Sequence, residues 1–256
     1  MAALITHMVV GERVYPQVPQ LERTREAVGA FLVGCIAPDV SFLGEIDRRR
    51  THLVGRPGEE GGGAFTESCA RFLARRDDLL RCPWGTLTGI ERAFVAGYLC
   101  HLAADEAWKS FGWHSLLRSK GMAFGERALT DVPAGVLVTA SSVFSAGLYL
   151  DFPAVASALR DACIPDVFAH VPHGAFVRMW DVVQPYLLDA YTYESYLTLL
   201  ARRGQSGAEV KAARREHERH WENALALIRA VGGVEAAVLA CVDRAVEVLP
   251  RLWKEG

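Results

Sequence analysis

The amino-acid sequence predicts an all-α fold. Apolar residues recur along most of the chain with the 3.6-residue period of helices. Strand-like alternation of apolar and polar residues between turn signals is nearly absent. The 256 residues are 51% hydrophobic and 23% charged, which is enough for one large helical core.

The first elements are delimited by a cap and by prolines. A helix over Thr6–Val14 begins at a threonine N-cap and stops before Pro16. A second helix is predicted over Leu21–Ile36, and Pro38 ends it. The following stretch, Ser41–Gly63, contains GRPGEEGGG and is too rich in glycine for regular structure, so it is predicted to be a loop.

Helical periodicity resumes after this loop. The predicted helices are Ala64–Arg81, Gly89–Phe111, Trp113–Leu129, Pro133–Leu150, Pro153–Ala162, Pro172–Leu188 and Tyr191–Arg203. The tail Ser206–Trp253 predicts a long charged helix, a break at Gly232 and Gly233, and a final amphipathic helix. Without an internal repeat or a clear linker, the simplest division is a helical domain over 1–205 with a C-terminal helical extension, 206–256, packed on it.

Net charge and the N-terminus narrow the classes of function. With 28 basic and 30 acidic residues, the net charge of −2 gives no general attraction to nucleic acid or anionic membranes. The start, MAALITHMVVGERV, lacks the features of a secretory signal, and no segment reaches the roughly 18 apolar residues of a membrane span. Six cysteines without a CxxC pair fit reduced thiols. We therefore expect a cytoplasmic protein with no transmembrane segment and no specific nucleic-acid partner.

The predicted helix Gly89–Phe111 carries a histidine and an aspartate on one face. His101 and Asp105 are four residues apart, so their side chains point the same way among apolar neighbours. A bare carboxylate in such surroundings costs several kcal/mol unless it is paired, and a metal cation is a strong partner. For this pair alone two interpretations stay open: a His–Asp hydrogen bond within the core, or a metal-binding face.

Three upstream residues favour the metal. His7 lies in ITHMVVGERV, Asp39 follows a helix in FLVGCIAPDV, and His52 ends RRRTH. With His101 and Asp105 they make three imidazoles and two carboxylates. Zinc accepts such ligands, and one carboxylate can bridge two ions in a hydrolytic site.

The order of these motifs resembles that of the zinc-dependent phospholipase C family. TH, GxxxPD, a second TH and GYxxHxxxD follow one another at similar separations between about Ala2 and Trp113. That family also includes the N-terminal domain of the glycosylphosphatidylinositol-specific phospholipase D and, more remotely, the fungal single-strand nucleases. The resemblance implies a single multi-helix, all-α domain of the phospholipase C and single-strand nuclease type.

The resemblance also implies ligands for two zinc ions. The first zinc would take four side chains, those of Asp39, His52, His101 and Asp105. Asp105 would bridge to a second zinc held by His7. In the family this second zinc is also chelated by the amine and carbonyl of the mature N-terminal residue, which would be Ala2 after removal of Met1.

The third zinc of the trinuclear relatives has no counterpart here. One of its ligands would fall near Phe111, which cannot ligate, and no HxxxE or HxxxD pair follows Asp105. Possible substitutes are His114, or Asp166 with His170 and His173; helix-end and loop histidines are the simpler interpretation. The expected centre is therefore dinuclear.

Three consecutive arginines, Arg48, Arg49 and Arg50, precede His52. At least one is expected to reach a substrate phosphate as a bidentate donor, and a solvated basic run is the alternative. Residues expected to orient the imidazoles are Thr6, Thr51 and Glu106, although Glu106 could instead face solvent.

Together these features predict a zinc-dependent phosphoric diester hydrolase, acting on a small phosphodiester or a phospholipid head group. The bridged ions would activate water and polarise a phosphoryl oxygen, with Asp39 and Asp105 as the catalytic residues. One alternative is a single-strand nuclease-like phosphodiesterase, although Ser41–Gly63 offers almost no aromatic residues for base stacking. Another is a non-catalytic helical binding module that metals hold together.

Overall fold

The protein is built from α-helices joined by short 3-10 helices. A computed structural model describes residues 4–54, 67–111, 136, 140–141, 151–188, 193–230 and 234–254. The α-helices are α1 (Leu4–Val14), α2 (Arg25–Gly34), α3 (Arg48–Thr51), α4 (Ser68–Ala74), α5 (Arg76–Leu79), α6 (Gly89–Phe111), α7 (Phe152–Arg160), α8 (His173–Leu187), α9 (Tyr193–Arg202), α10 (Gly207–Ala230) and α11 (Glu235–Val248). The 3-10 helices are Tyr15–Gln17, Ala37–Leu43, Trp84–Thr86 and Leu249–Trp253. No β-strand occurs in these ranges, and the predicted all-α fold is confirmed.

Local chemistry explains where two elements differ from the prediction. α2 begins at Arg25 rather than Leu21, because the Thr24 hydroxyl caps it by accepting from the Ala27 amide. The loop predicted over Ser41–Gly63 was wrong in part, because a carboxylate at position 47 caps α3 within it. This short helix ends beside His52, one of the expected ligands.

The prediction that Thr6 caps the first helix was wrong, because α1 already includes Leu4 and Thr6 lies inside it. The remaining predicted helices agree within a few residues, are divided, or lie outside the described residues. α6 has the predicted bounds, whereas the single helix expected over Ala64–Arg81 is divided at Arg75 into α4 and α5. Outside the described residues lie the predicted helix Trp113–Leu129, most of Pro133–Leu150, and Gly232 with Gly233.

α6 lies at the centre of the hydrophobic core. It is buried from Ala93 to Glu106 and packs against α2, α11, α4 and α1. Each large apolar side chain buried in this way contributes about 1.5–3 kcal/mol. Because α11 packs against α6 and α1, the C-terminal part of the chain contributes to the core around α6. The division of the chain at residue 205 stays a prediction.

Two glycines allow α2 and α6 to cross in backbone contact. A Cβ atom on Gly97 would lie 2.9 Å from the Cα of Gly34 and would overlap the carbonyl oxygen of Phe31. His101 follows Gly97 by one turn, and Cys35 follows Gly34 directly. The crossing therefore brings His101 Nδ1 to 2.8 Å from the Cys35 carbonyl oxygen.

None of the described helices alone has the length and apolar content to span a membrane. Taken together, α2 and the 3-10 helix Ala37–Leu43 have the required length and apolar content, but a bend of 50° separates them. Most of α2 is buried in the core. The cytoplasmic location stays a prediction.

Candidate metal centre

Four elements bring the five expected side-chain ligands together. α1 carries His7, the 3-10 helix Ala37–Leu43 carries Asp39, the end of α3 provides His52, and α6 carries His101 and Asp105. All five are buried. Two overlapping groups have ligand atoms within 4.8 Å of one another: His7, His101 and Asp105, and Asp39, His52 and His101.

Distances around His52 fit a shared ion. Its Nε2 atom lies 3.1 Å from His101 Nε2, 3.5 Å from Asp39 Oδ1 and 3.5 Å from Asp105 Oδ2. His101 Nε2 lies 3.9 Å from Asp39 Oδ1 and 4.0 Å from Asp105 Oδ2. Two ligands of one tetrahedral zinc ion are roughly 3.3–3.6 Å apart, so small adjustments would suffice. We call these four side chains the His52 group.

Hydrogen bonds at Nδ1 determine which nitrogen each imidazole offers. His101 Nδ1 donates to the Cys35 carbonyl oxygen, which leaves one lone pair on its Nε2. His52 Nδ1 lies 3.0 Å from Thr51 Oγ1 and 3.2 Å from the Arg48 carbonyl oxygen. The Thr51 hydroxyl itself donates to that carbonyl and is free to accept from the imidazole. Both Nε2 atoms therefore face the centre as acceptors, in the orientation that a metal requires.

His7 provides the clearest test of whether the residues fit a cation. Its ring stacks on that of His101 with centroids 3.7 Å apart, and its side chain is fully buried. Within the described ranges neither ring nitrogen of His7 has a hydrogen-bond partner, and neither does Asp105 Oδ1, which lies 3.6 Å from His7 Nε2. Buried polar atoms without partners are rare. A cation between His7 Nε2 and Asp105 Oδ1 would give each of these two atoms a partner, so the residues fit a metal.

The two oxygens of Asp105 face different histidines. Oδ1 faces His7, and Oδ2 faces His52. His101 lies in both of the overlapping groups but has one lone pair for one ion. Counting it with the His52 group leaves His7 and Asp105 Oδ1 as a second set. We call the second set the His7 pair.

Burial favours the neutral form of two of the imidazoles, those of His101 and His7. Desolvation lowers the pKa of His101 to about 3 and also lowers that of His7. Burial alone would raise the pKa of Asp39 and Asp105, but the pKa of both carboxyl groups lies below its usual range. At neutral pH the site therefore presents imidazole lone pairs and two carboxylates, the protonation states that bind metal.

Of the three arginines, one reaches the ligands. Arg48 Nη2 donates to Asp105 Oδ2 and to His52 Nε2, both at 2.8 Å, and Nη1 lies 3.6 Å from Asp39 Oδ1. Arg49 and Arg50 have exposed side chains and are not brought to the ligands.

The expected supporting residues have different positions. Thr51 contacts His52 as expected, and Thr6 is buried in α1. Both interpretations of Glu106 were wrong, because its buried carboxylate accepts from the Cys69 amide and from Arg244 rather than orienting an imidazole or facing solvent.

The substitute third site is not formed by its described members. His170 contacts Tyr98 and the Leu79 carbonyl oxygen. His173 lies 2.8 Å from the Ile164 carbonyl oxygen, and Asp166 accepts from Arg81. Phe111 is the last residue of α6. Two expected participants, Ala2 and His114, lie outside the described residues.

Sequence reasoning missed contacts made by the backbone and by Tyr98. The Cys35 carbonyl oxygen that orients His101 has no side-chain signature. Tyr98 donates to the carbonyl oxygen of Thr51, which fixes the residue before His52. Its position one turn before His101 in α6 was the available signal.

Acid is expected to destabilise the metal-free chain. Below pH 6.5 unfolded histidines bind protons that buried His101 and His7 do not, so the free energy of unfolding falls as pH falls. His101 alone should account for about 1.5–2 kcal/mol between pH 6.5 and 5.0. Thermal unfolding with a chelator present, at both pH values, measures the effect. A slope that is the same in His101→Gln as in the unaltered chain would contradict this assignment.

Comparison with known proteins agrees with the geometry. The sequence model of the family described as zinc dependent phospholipase C matches residues 6–135, about half of the chain and the part that contains all five side-chain ligands. No curated protein and no solved structure matches. Members of this family depend on zinc, and the His and Asp groups described above could hold it. The chain therefore belongs to the zinc-dependent phospholipase C family.

Proposed function

We propose that this protein is a phosphoric diester hydrolase of the phospholipase C type that works with two zinc ions. One ion would be held by the His52 group and the other by the His7 pair, to which the amine and carbonyl of Ala2 would add. The observation that carries the proposal is the arrangement around Asp105, whose two buried oxygens face two different imidazoles. The expected substrate is a small phosphodiester or a phospholipid head group.

The chemistry follows from these side chains. Zinc ions bound there would lower the pKa of a water molecule and polarise a phosphoryl oxygen. Asp39 is partly accessible, with 12% of its side chain exposed, so its carboxylate can orient the attacking water or accept its proton. Arg48, with 23% of its side chain exposed, can donate two N–H groups to phosphoryl oxygens. Asp105, at 2% exposed, is too buried to contact substrate and acts through the metals.

Metal content and turnover together test the proposal. We expect about two zinc ions per chain and hydrolysis of a chromogenic phosphodiester by the zinc-loaded protein. Asp39→Asn should lower turnover by at least about 100-fold while circular dichroism stays close to that of the unaltered chain. Tight zinc binding without turnover would instead support a helical module stabilised by metal. Full activity in Asp39→Asn would contradict the role given to Asp39.

A further inference from the structure

Arg48 occupies an unusual position for a basic side chain. It precedes His52 by one helical turn, and its guanidinium contacts three of the four members of the His52 group. A guanidinium always carries a positive charge. It therefore stands beside the same two carboxylates that a zinc ion in this group would neutralise.

The contacts of Arg48 use the atoms that a metal needs. His52 Nδ1 is engaged with Thr51 and the Arg48 carbonyl oxygen. A guanidinium can only donate, so Nε2 accepts from Arg48 Nη2 with its one lone pair. That lone pair can accept from Arg48 Nη2 or bind a metal ion, but it cannot do both. Asp105 Oδ2, another expected zinc ligand, lies 2.8 Å from the same Nη2 atom.

Charge leads to the same conclusion. Two divalent ions beside Asp39 and Asp105 exceed the charge of these carboxylates, and a guanidinium in contact with such ions would be repelled. A phosphodiester anion is the group that could hold it near the centre, because it pairs with guanidinium in a bidentate manner.

We propose that Arg48 and a zinc ion compete for the His52 group, and that zinc binding displaces the guanidinium, which then pairs with the phosphate of the substrate. The proposal rests on the metal centre of the proposed function. Before the metal enters, Arg48 neutralises the carboxylates and so keeps the ligands together. Because zinc must displace the guanidinium, its affinity for the His52 group is lower than it would be without Arg48.

Zinc affinity of full-length variants tests this competition. Arg48→Met removes the charge and keeps much of the side-chain length, and Arg49→Met is the matched control because its side chain is exposed on the same turn. Competition against a chromophoric chelator measures the affinity. We expect Arg48→Met to bind one zinc ion at least about tenfold more tightly than Arg49→Met, and we expect its chelator-treated form to unfold at a lower temperature. Equal affinities within about twofold, or weaker binding by Arg48→Met, would overturn the proposal.

The unaltered chain offers a second measurement should Arg48→Met fail to fold. Guanidinium resonances of the labelled protein, with Arg48 assigned by comparison with Arg48→Lys, are followed during zinc addition. We expect the Arg48 signal to shift as zinc binds and to shift again with a non-hydrolysable phosphodiester. A signal that zinc leaves unchanged would overturn the proposal. Zinc-dependent displacement in a protein that hydrolyses no phosphodiester would sink the proposed function and leave the competition standing.

Discussion

Asp105→Asn is expected to bind zinc at least about 100-fold more weakly and to lose phosphodiester hydrolysis. Each oxygen of Asp105 faces one set of ligands, so this substitution alters both. The amide keeps the shape of the carboxylate but is neutral, and its nitrogen cannot ligate. Substituting a group that merely orients a ligand lowers metal affinity by about 10–100-fold, so substituting a ligand shared by both sets should lower it further.

Zinc content after dialysis and turnover of a chromogenic phosphodiester check this expectation. The matched control is Asp47→Asn, because Asp47 lies one residue before α3 with an exposed side chain and asparagine caps helices as well as aspartate does. It should retain zinc and activity. Full zinc stoichiometry in Asp105→Asn would show that this carboxylate does not bridge the two sets.

Arg244→Met is expected to lower the free energy of unfolding by about 2–4 kcal/mol. Arg244 in α11 donates through Nε and Nη2 to the carboxylate of Glu106 in α6, at 3.2 and 2.9 Å. The Glu106 side chain is 4% exposed and would remain as a buried charge, with the amide and the thiol of Cys69 as its remaining described donors. Breaking a fully buried pair costs about 3–5 kcal/mol, and we reduce this because 31% of the Arg244 side chain is exposed.

Chemical denaturation and melting temperature measure the loss, and the melting temperature should fall by roughly 5–12 °C. Arg81→Met is the control, since Arg81 pairs with Asp166 on the surface, where both side chains are about half exposed, and should change stability by less than about 1 kcal/mol. Adding Glu106→Gln to Arg244→Met should recover part of the loss by removing the buried charge. Equal losses in the two arginine variants would show that the contact between α6 and α11 does not depend on this pair.

Local patterns made much of the centre predictable. α6 has the bounds that its periodicity predicted, and the i, i+4 spacing of His101 and Asp105 places both on one face. His7 and His52 are different, because neither ITH nor RTH distinguishes a ligand from a core histidine. Those two depended on the order of several motifs along the chain.

Contacts between distant segments could not be predicted in this way. Glu106 and Arg244 are 138 residues apart, and no periodicity connects them. Consecutive residues of a helix point about 100° apart, so Arg48 and Arg49 cannot both face the ligands. The packing of α3 decides which of them does, and the sequence of α3 does not reveal that packing.

The crossing of α2 and α6 has a consequence for the precision of the metal centre. Ligand bonds to zinc vary by about 0.2 Å, whereas a methyl group on Gly97 would lie 2.9 Å from Gly34 Cα, where carbon atoms prefer about 3.5–4.0 Å. The displacement imposed by the smallest side chain after glycine thus exceeds the tolerance of the bonds that His101 would make. A chain could keep all five side-chain ligands and still lose the centre through a single methyl group placed one helical turn before His101.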